Sequence, residues 1–169
     1  HHYNQKHTDS VPMRLKNYLE NKEVNLDTSD LAKGANNFKY YMFIDLMMRQ
    51  YGEGIWKNYN MLKYSVLNKK GAEWNAHSSA WLWSIAAGED VFPYLQKAFG
   101  TSVSKDKVKL PANVMQAGFD PEKVGKIYNM PIKRLPRVRD ILDKMRNFSD
   151  VREFYKKEIA EKGHPKVEG

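Results

Sequence analysis

The chain has 169 residues, 41% of them apolar, 12% aromatic and 28% charged, which is enough material for one domain with a sizeable core and is the profile of a folded protein. It contains no cysteine, so disulfides, thiol nucleophiles and thiolate metal sites are all excluded. Apolar runs such as 81–87 stop far short of the roughly 18–20 residues that cross a bilayer, no stretch reads as a signal peptide, and the formal charge is +8.

In chain order, Val11, Leu15, Tyr18 and Leu19 recur at helical spacing behind a Ser10 cap, with Pro12 in the first turn. An Asn-, Asp- and Gly-rich loop follows and ends at an Asn36 or Asn37 cap. The run from Phe38 to Gln50 is apolar nearly all round, which predicts an enclosed helix. Gly52 and Gly54 break it, and the period resumes through Ile55, Tyr59, Leu62 and Val66, which predicts a helical hairpin or a sharply kinked pair.

Residues 73–87 predict a helix with Trp74, His77, Ser78, Trp81 and Ile85 on one face, Trp83 on another, and Gly88 as the stop. Asp90 caps the next helix, 91–99, which Gly100 ends. Val103, Val108 and Leu110 suggest a short strand or an extended crossing. Asp120 and Pro121 open a further helix over 121–129. Pro131 and Pro136 lead into a predicted helix from Arg137 to Asn147, and Ser149 is the expected cap of a final helix closed by Gly163. Together these describe a mainly α protein, an irregular multi-helix bundle over residues 1–169 with frayed ends at 1–10 and 164–169, and with one short strand or extended segment near 103–110.

Chemistry is sparse. The sequence has no Gly-rich phosphate loop, no G-x-S-x-G elbow and no H-x-x-x-H pair on a predicted helix. His77 lies between Trp74 and Trp81, where the first expectation is a hydrogen-bonded structural histidine and the second a ligand or proton shuttle. Asp45 is an isolated acid in an apolar helix, and a Lys, Arg or Trp N–H partner is expected for it, because a buried carboxylate left alone is costly. The ten tyrosines and four tryptophans fall mostly at core spacing. Lys133, Arg134, Arg137, Arg139, Lys144 and Arg146 form a basic stretch that reads first as a solvated helix face and second as an anion-binding surface.

The stretches NNFKYYMFIDLMMRQYGEGIWKNYNMLKYSVL and WLWSIAAGEDVFPYLQKAFGTSVS resemble the helical C-terminal part of enhancin-like, mucin-degrading zinc metallopeptidases of the gluzincin class. The resemblance covers residues 36–104 and is strongest over 84–100, in packing and capping residues. It implies a secreted or cell-surface bacterial protein, a protein or glycoprotein substrate, and zinc as cofactor. The complete H-E-x-x-H motif on which that chemistry depends is not present. By the same resemblance, the opening HHYNQ makes His1 the second zinc histidine of such a motif, with Glu23 as third ligand, Glu20 as its runner-up, and Asp45 and His77 as residues that orient the ligands. An affinity-tag remnant accounts for His1 and His2 equally well. On this reading the chain in isolation should not hydrolyse peptides. The competing expectation is a non-catalytic helical module that meets an anionic partner through Lys133, Arg134, Arg137 and Arg139, without a recognisable nucleic-acid-binding motif.

Overall fold

Two long helices flank the predicted glycine break: α1, Phe38–Tyr51, and α2, Gly54–Val66. The structure, a computed structural model, describes residues 38–162. The helix expected around 11–22 with its Ser10 cap, the Asn36 or Asn37 cap and the Gly163 stop lie outside those residues. Gly52 turns the chain with φ +89°, a conformation that glycine adopts without Cβ strain. Met42, Phe43, Leu46 and Met47 are fully buried and Ile44 nearly so, so α1 is enclosed as its composition requires.

The third helix, α3, spans Ala76–Ala87 and packs along α2. It starts three residues later than the periodicity suggests, because the Asn75 side chain accepts the Ser78 amide proton at 2.9 Å and caps it there. Trp74 therefore stands off the helical face on which it was expected. At 52% exposure it lies in solvent with the Lys63 ammonium 4.4 Å from its ring centroid. The end of α3 is a Schellman turn: Gly88 N–H donates to Ile85 O and Glu89 N–H to Ser84 O, both at 3.1 Å, with Gly88 at φ +75°.

Asp90 receives the Phe92 amide proton at 3.0 Å and opens the next element, as expected. That element tightens and then widens into a π turn over Tyr94–Ala98, where the Phe99 amide reaches back to Tyr94 O. Residues 103–110 make an extended crossing interrupted by a 3-10 turn, Lys105–Lys107, and no strand forms among the described residues. The short helices α4, Ala112–Ala117, and α5, Pro121–Ile127, follow and pack on each other. Asp120 caps α5 by accepting from Glu122 and Lys123 amides at 3.0 and 3.1 Å.

The helix predicted from Arg137 to Asn147 does not form. Residues 131–141 run without regular structure, and only Leu142–Lys144 make a 3-10 turn. The amides that a helix would have used go elsewhere: Val138 N–H donates to Gln50 O at 2.7 Å, while Ile141 and Leu142 N–H converge on Gln50 Oε1 at 3.0 and 2.9 Å. The last helix, α6, spans Phe148–Lys162 and starts one residue ahead of its expected Ser149 cap. Asn147 does the capping, its Oδ1 accepting the Asp150 amide at 3.0 Å, and Asp150 reaches back to the Arg146 amide at 2.8 Å.

The centre of the bundle is aromatic. Trp83 lies face to face with Tyr59, centroids 4.0 Å apart and planes 8° from parallel, and Phe43 meets the indole edge-on at 5.4 Å.

Candidate functional site

Polar chemistry concentrates where the α3–α5 region meets the segment after Pro131. The Schellman turn at Gly88 projects Glu89 sideways, and its Oε1 accepts from the Tyr51 hydroxyl at 2.8 Å. Arg137 donates to both oxygens of Glu89, to Asp140 at 2.6 Å, to Asp143, and to the Tyr94 hydroxyl at 3.0 Å. Its guanidinium also lies 5.9 Å from the Tyr51 ring centroid. Tyr94 in turn donates to Asp143 and accepts from the Gln50 amide at 3.2 Å.

The charges tune one another. Hydrogen bonds to Glu89, and then to Asp143, hold the Arg137 proton more firmly than in a free guanidinium. Burial, followed by the bond to Glu89, pushes the Tyr51 hydroxyl well above its ordinary range. Burial and Asp143 push Tyr94 up to about 12. Burial works against the Asp143 carboxylate, but the bonds from Tyr94 and Arg137 outweigh it and hold the group low.

A second cluster is deeper. Asp45 is 1% exposed and accepts from Arg49 Nε at 2.8 Å and from the Tyr155 hydroxyl. Arg49 also grips Glu158 through two parallel bonds of 2.7 Å, and thereby ties α1 to α6. Burial disfavours the charge on Arg49, and the bond to Glu158 with the field of Asp45 more than compensates. Burial and Asp45 together push the Tyr155 hydroxyl far up. The partner of Asp45 is thus an arginine one helical turn away.

His77 Nδ1 accepts the Ser104 amide proton at 3.0 Å, which ties α3 to the extended crossing and places the ring proton on Nε2. Neither His77 nor Asp45 belongs to a trio of metal-ligating side chains, and no group of three His, Cys, Asp or Glu residues placed to hold a metal ion occurs among the described residues. His1, Glu20 and Glu23 lie outside them.

The basic stretch is divided. Arg137 is enclosed by acids, and Arg134 faces Asp120 at 3.4 Å and Glu122 at 3.8 Å while donating to Gly88 O. Lys133, Arg139 and Lys144 are exposed. These residues lie on an irregular segment and a 3-10 turn and not on one helical face. No protein-family model, curated protein or solved structure matches the chain.

Sequence reasoning passed over Glu89 in favour of its neighbour Asp90, whose capping role was legible. It also passed over Gln50, Tyr51 and Tyr94. A faint signal existed in Gln50, an uncharged polar residue near the end of a mostly apolar helix, which is fully buried here.

Proposed function

We propose that this chain is the helical wall of a gluzincin-type zinc metallopeptidase acting on proteins or glycoproteins. The reading takes zinc to be held by the parent protein's H-E-x-x-H motif, with His1 as its second histidine and Glu23 as third ligand. What supports it is the bonding of the segment that carries the resemblance. Ser84 Oγ accepts the Val91 amide at 3.1 Å, Gly88 ends α3, Glu89 meets Tyr51, and Asp90 caps the following turn. The shared residues thus form one tightly bonded corner, which is how a structural signature is retained apart from catalytic residues.

In this reading the wall contributes rigidity and packing, and no chemical step is assigned to its residues. A tetrad H-E-x-x encoded directly ahead of His1 is the expected result, and any other sequence there removes the proposal. On the protein, zinc affinity measured by titration calorimetry should be weak and should fall further in Glu23→Ala; unchanged binding removes Glu23 as a ligand. The rival reading, a module that meets an anionic partner through Lys133, Arg134, Arg137 and Arg139, has less support, because Arg134 and Arg137 are already engaged with carboxylates.

A further inference from the structure

The crossing that follows Gly100 is held to the body at both ends. Upstream, Thr101 N–H donates to Leu95 O at 3.0 Å and the Gln96 side-chain amide donates to Val103 O at 2.8 Å. Downstream, Glu73 N–H donates to Lys109 O at 2.8 Å and Lys109 N–H to Ser78 Oγ at 3.3 Å. Val103 and Leu110 are buried, so apolar contacts secure the same two ends. Between them, among the described residues, two polar ties reach the body: the Lys105 ammonium pairs with Asp90, and Ser104 N–H donates to His77 Nδ1 at 3.0 Å.

The Asn75 cap places the histidine for this bond by making it the second residue of α3. Across from it, Ser104 Oγ accepts the Asp106 amide at 3.2 Å and opens the 3-10 turn Lys105–Lys107. An imidazole that accepts at Nδ1 is neutral and carries its proton on Nε2. A second proton goes to Nδ1, the atom at which the Ser104 amide points, so two donors then face each other. Either the ring turns or the amide leaves, and the half-buried Ser104 N–H loses its acceptor in both cases. Among the described residues His77 makes no ion pair and no other hydrogen bond, and α3 carries no further charged side chain. Of the charged groups on the 3-10 turn, Lys105 is engaged with Asp90, while Asp106 and Lys107 are exposed. On α2, Lys63 lies over the Trp74 ring and Lys57 is exposed. On α5, Glu122 faces Arg134, and Lys123 and Lys126 are exposed. Glu73, just ahead of α3, is paired with Lys109.

We infer that His77 is a proton-sensitive tie: neutral, it holds Ser104 and the start of the 3-10 turn against α3, and protonated, it releases the Ser104 amide while both ends of the crossing stay in place. Histidine is the side chain whose ordinary value, about 6.5, puts such a change at mild acidity. The release is local, because the bonds at Leu95, Gln96, Glu73 and Ser78 and the Lys105–Asp90 pair do not pass through the imidazole.

Nuclear magnetic resonance on the full chain follows the ring and the amide together as pH falls from about 8 to about 5. The His77 ring nitrogens should show the Nε2–H form at the upper end. The Ser104 amide shift should move with the same midpoint as the ring. Its protection factor against hydrogen exchange should drop roughly tenfold, the worth of one hydrogen bond, while α1 and α2 keep theirs. In His77→Asn the side-chain oxygen stands near the place of Nδ1 and does not titrate, so Ser104 should stay protected at every pH. In His77→Leu its protection should be low throughout. A Ser104 midpoint that differs from that of the ring overturns the tie, and so does a ring that takes no proton above about pH 5. A pH response that survives in His77→Asn overturns it as well, as does a loss of protection shared equally by α1 and α2. The wild-type titration decides the matter by itself where a variant does not fold.

Discussion

Gly125 illustrates how one missing methyl group sets a backbone path. A Cβ there would lie 2.5 Å from Met130 O, a backbone atom that cannot step aside, while Gly125 O accepts the Met130 amide at 2.7 Å. Gly125→Ala should therefore destabilise by about 1–3 kcal/mol in urea unfolding, the range for forced overpacking, whereas Lys126→Ala on the exposed face should be nearly silent. Tyr94 sets a limit on the alkaline side. Its folded-state value is pushed up to about 12, so the folded protein holds that proton more tightly than the unfolded chain does. The corresponding stability is complete below the ordinary tyrosine value near 10 and drains away as pH rises from there through about 12. Denaturant titrations across that window should show a smaller slope for Tyr94→Phe than for wild type, and identical slopes would contradict the assignment.

At the level of elements, α6 is attached to α1 through Arg49, whose guanidinium serves Asp45 and Glu158 at once. Arg49→Met leaves both carboxylates buried without that partner and should cost about 3–5 kcal/mol in chemical denaturation. The double variant Arg49→Met with Glu158→Met should recover part of the loss. Failure to recover any of it would mean that packing, not charge, dominates the loss. Half of this pair could be foreseen. Asp45 stands out as an acid in an apolar run, and Arg49 is one turn further along the same helix. Glu158 could not, because 109 residues separate it from Arg49. The same contrast governs the elements themselves. The helices α1, α2 and α3 are legible because apolar period and glycine stops coincide. The expected helix over 137–147 fails because its local pattern competes with a distant acceptor, Gln50, and wins no apolar face in exchange. The Arg137–Glu89 contact spans 48 residues of chain and depends on a left-handed turn at Gly88, so composition alone gave no hint of it.

For the molecule as a whole, the surplus of positive charge is less available than the formula implies. Arg134, Arg137 and Arg146 each face carboxylates, and three of those acids, Asp120, Asp143 and Asp150, are held low. Asp143 is lowered by Tyr94 and Arg137 against its burial, Asp120 by the Lys123 amide first, and Asp150 by the Arg146 amide first. Each such carboxylate adds stability that is present above the ordinary value near 4 and vanishes as pH falls through the folded-state value. Thermal melting should therefore lose ground from about pH 4 downward, and added salt should shrink the loss, because these groups are largely in solvent. A melting point that is flat from pH 5 to pH 2 would remove these bonds from the account.

The four tryptophans are sorted by depth, from Trp83 at 0% exposure to Trp74 at 52%. That sorting gives the protein two optical reporters. Trp74, beside the Lys63 ammonium, should emit at long wavelength and be extinguished first by acrylamide. Trp83, stacked on Tyr59, should emit at short wavelength and escape the quencher until the bundle comes apart.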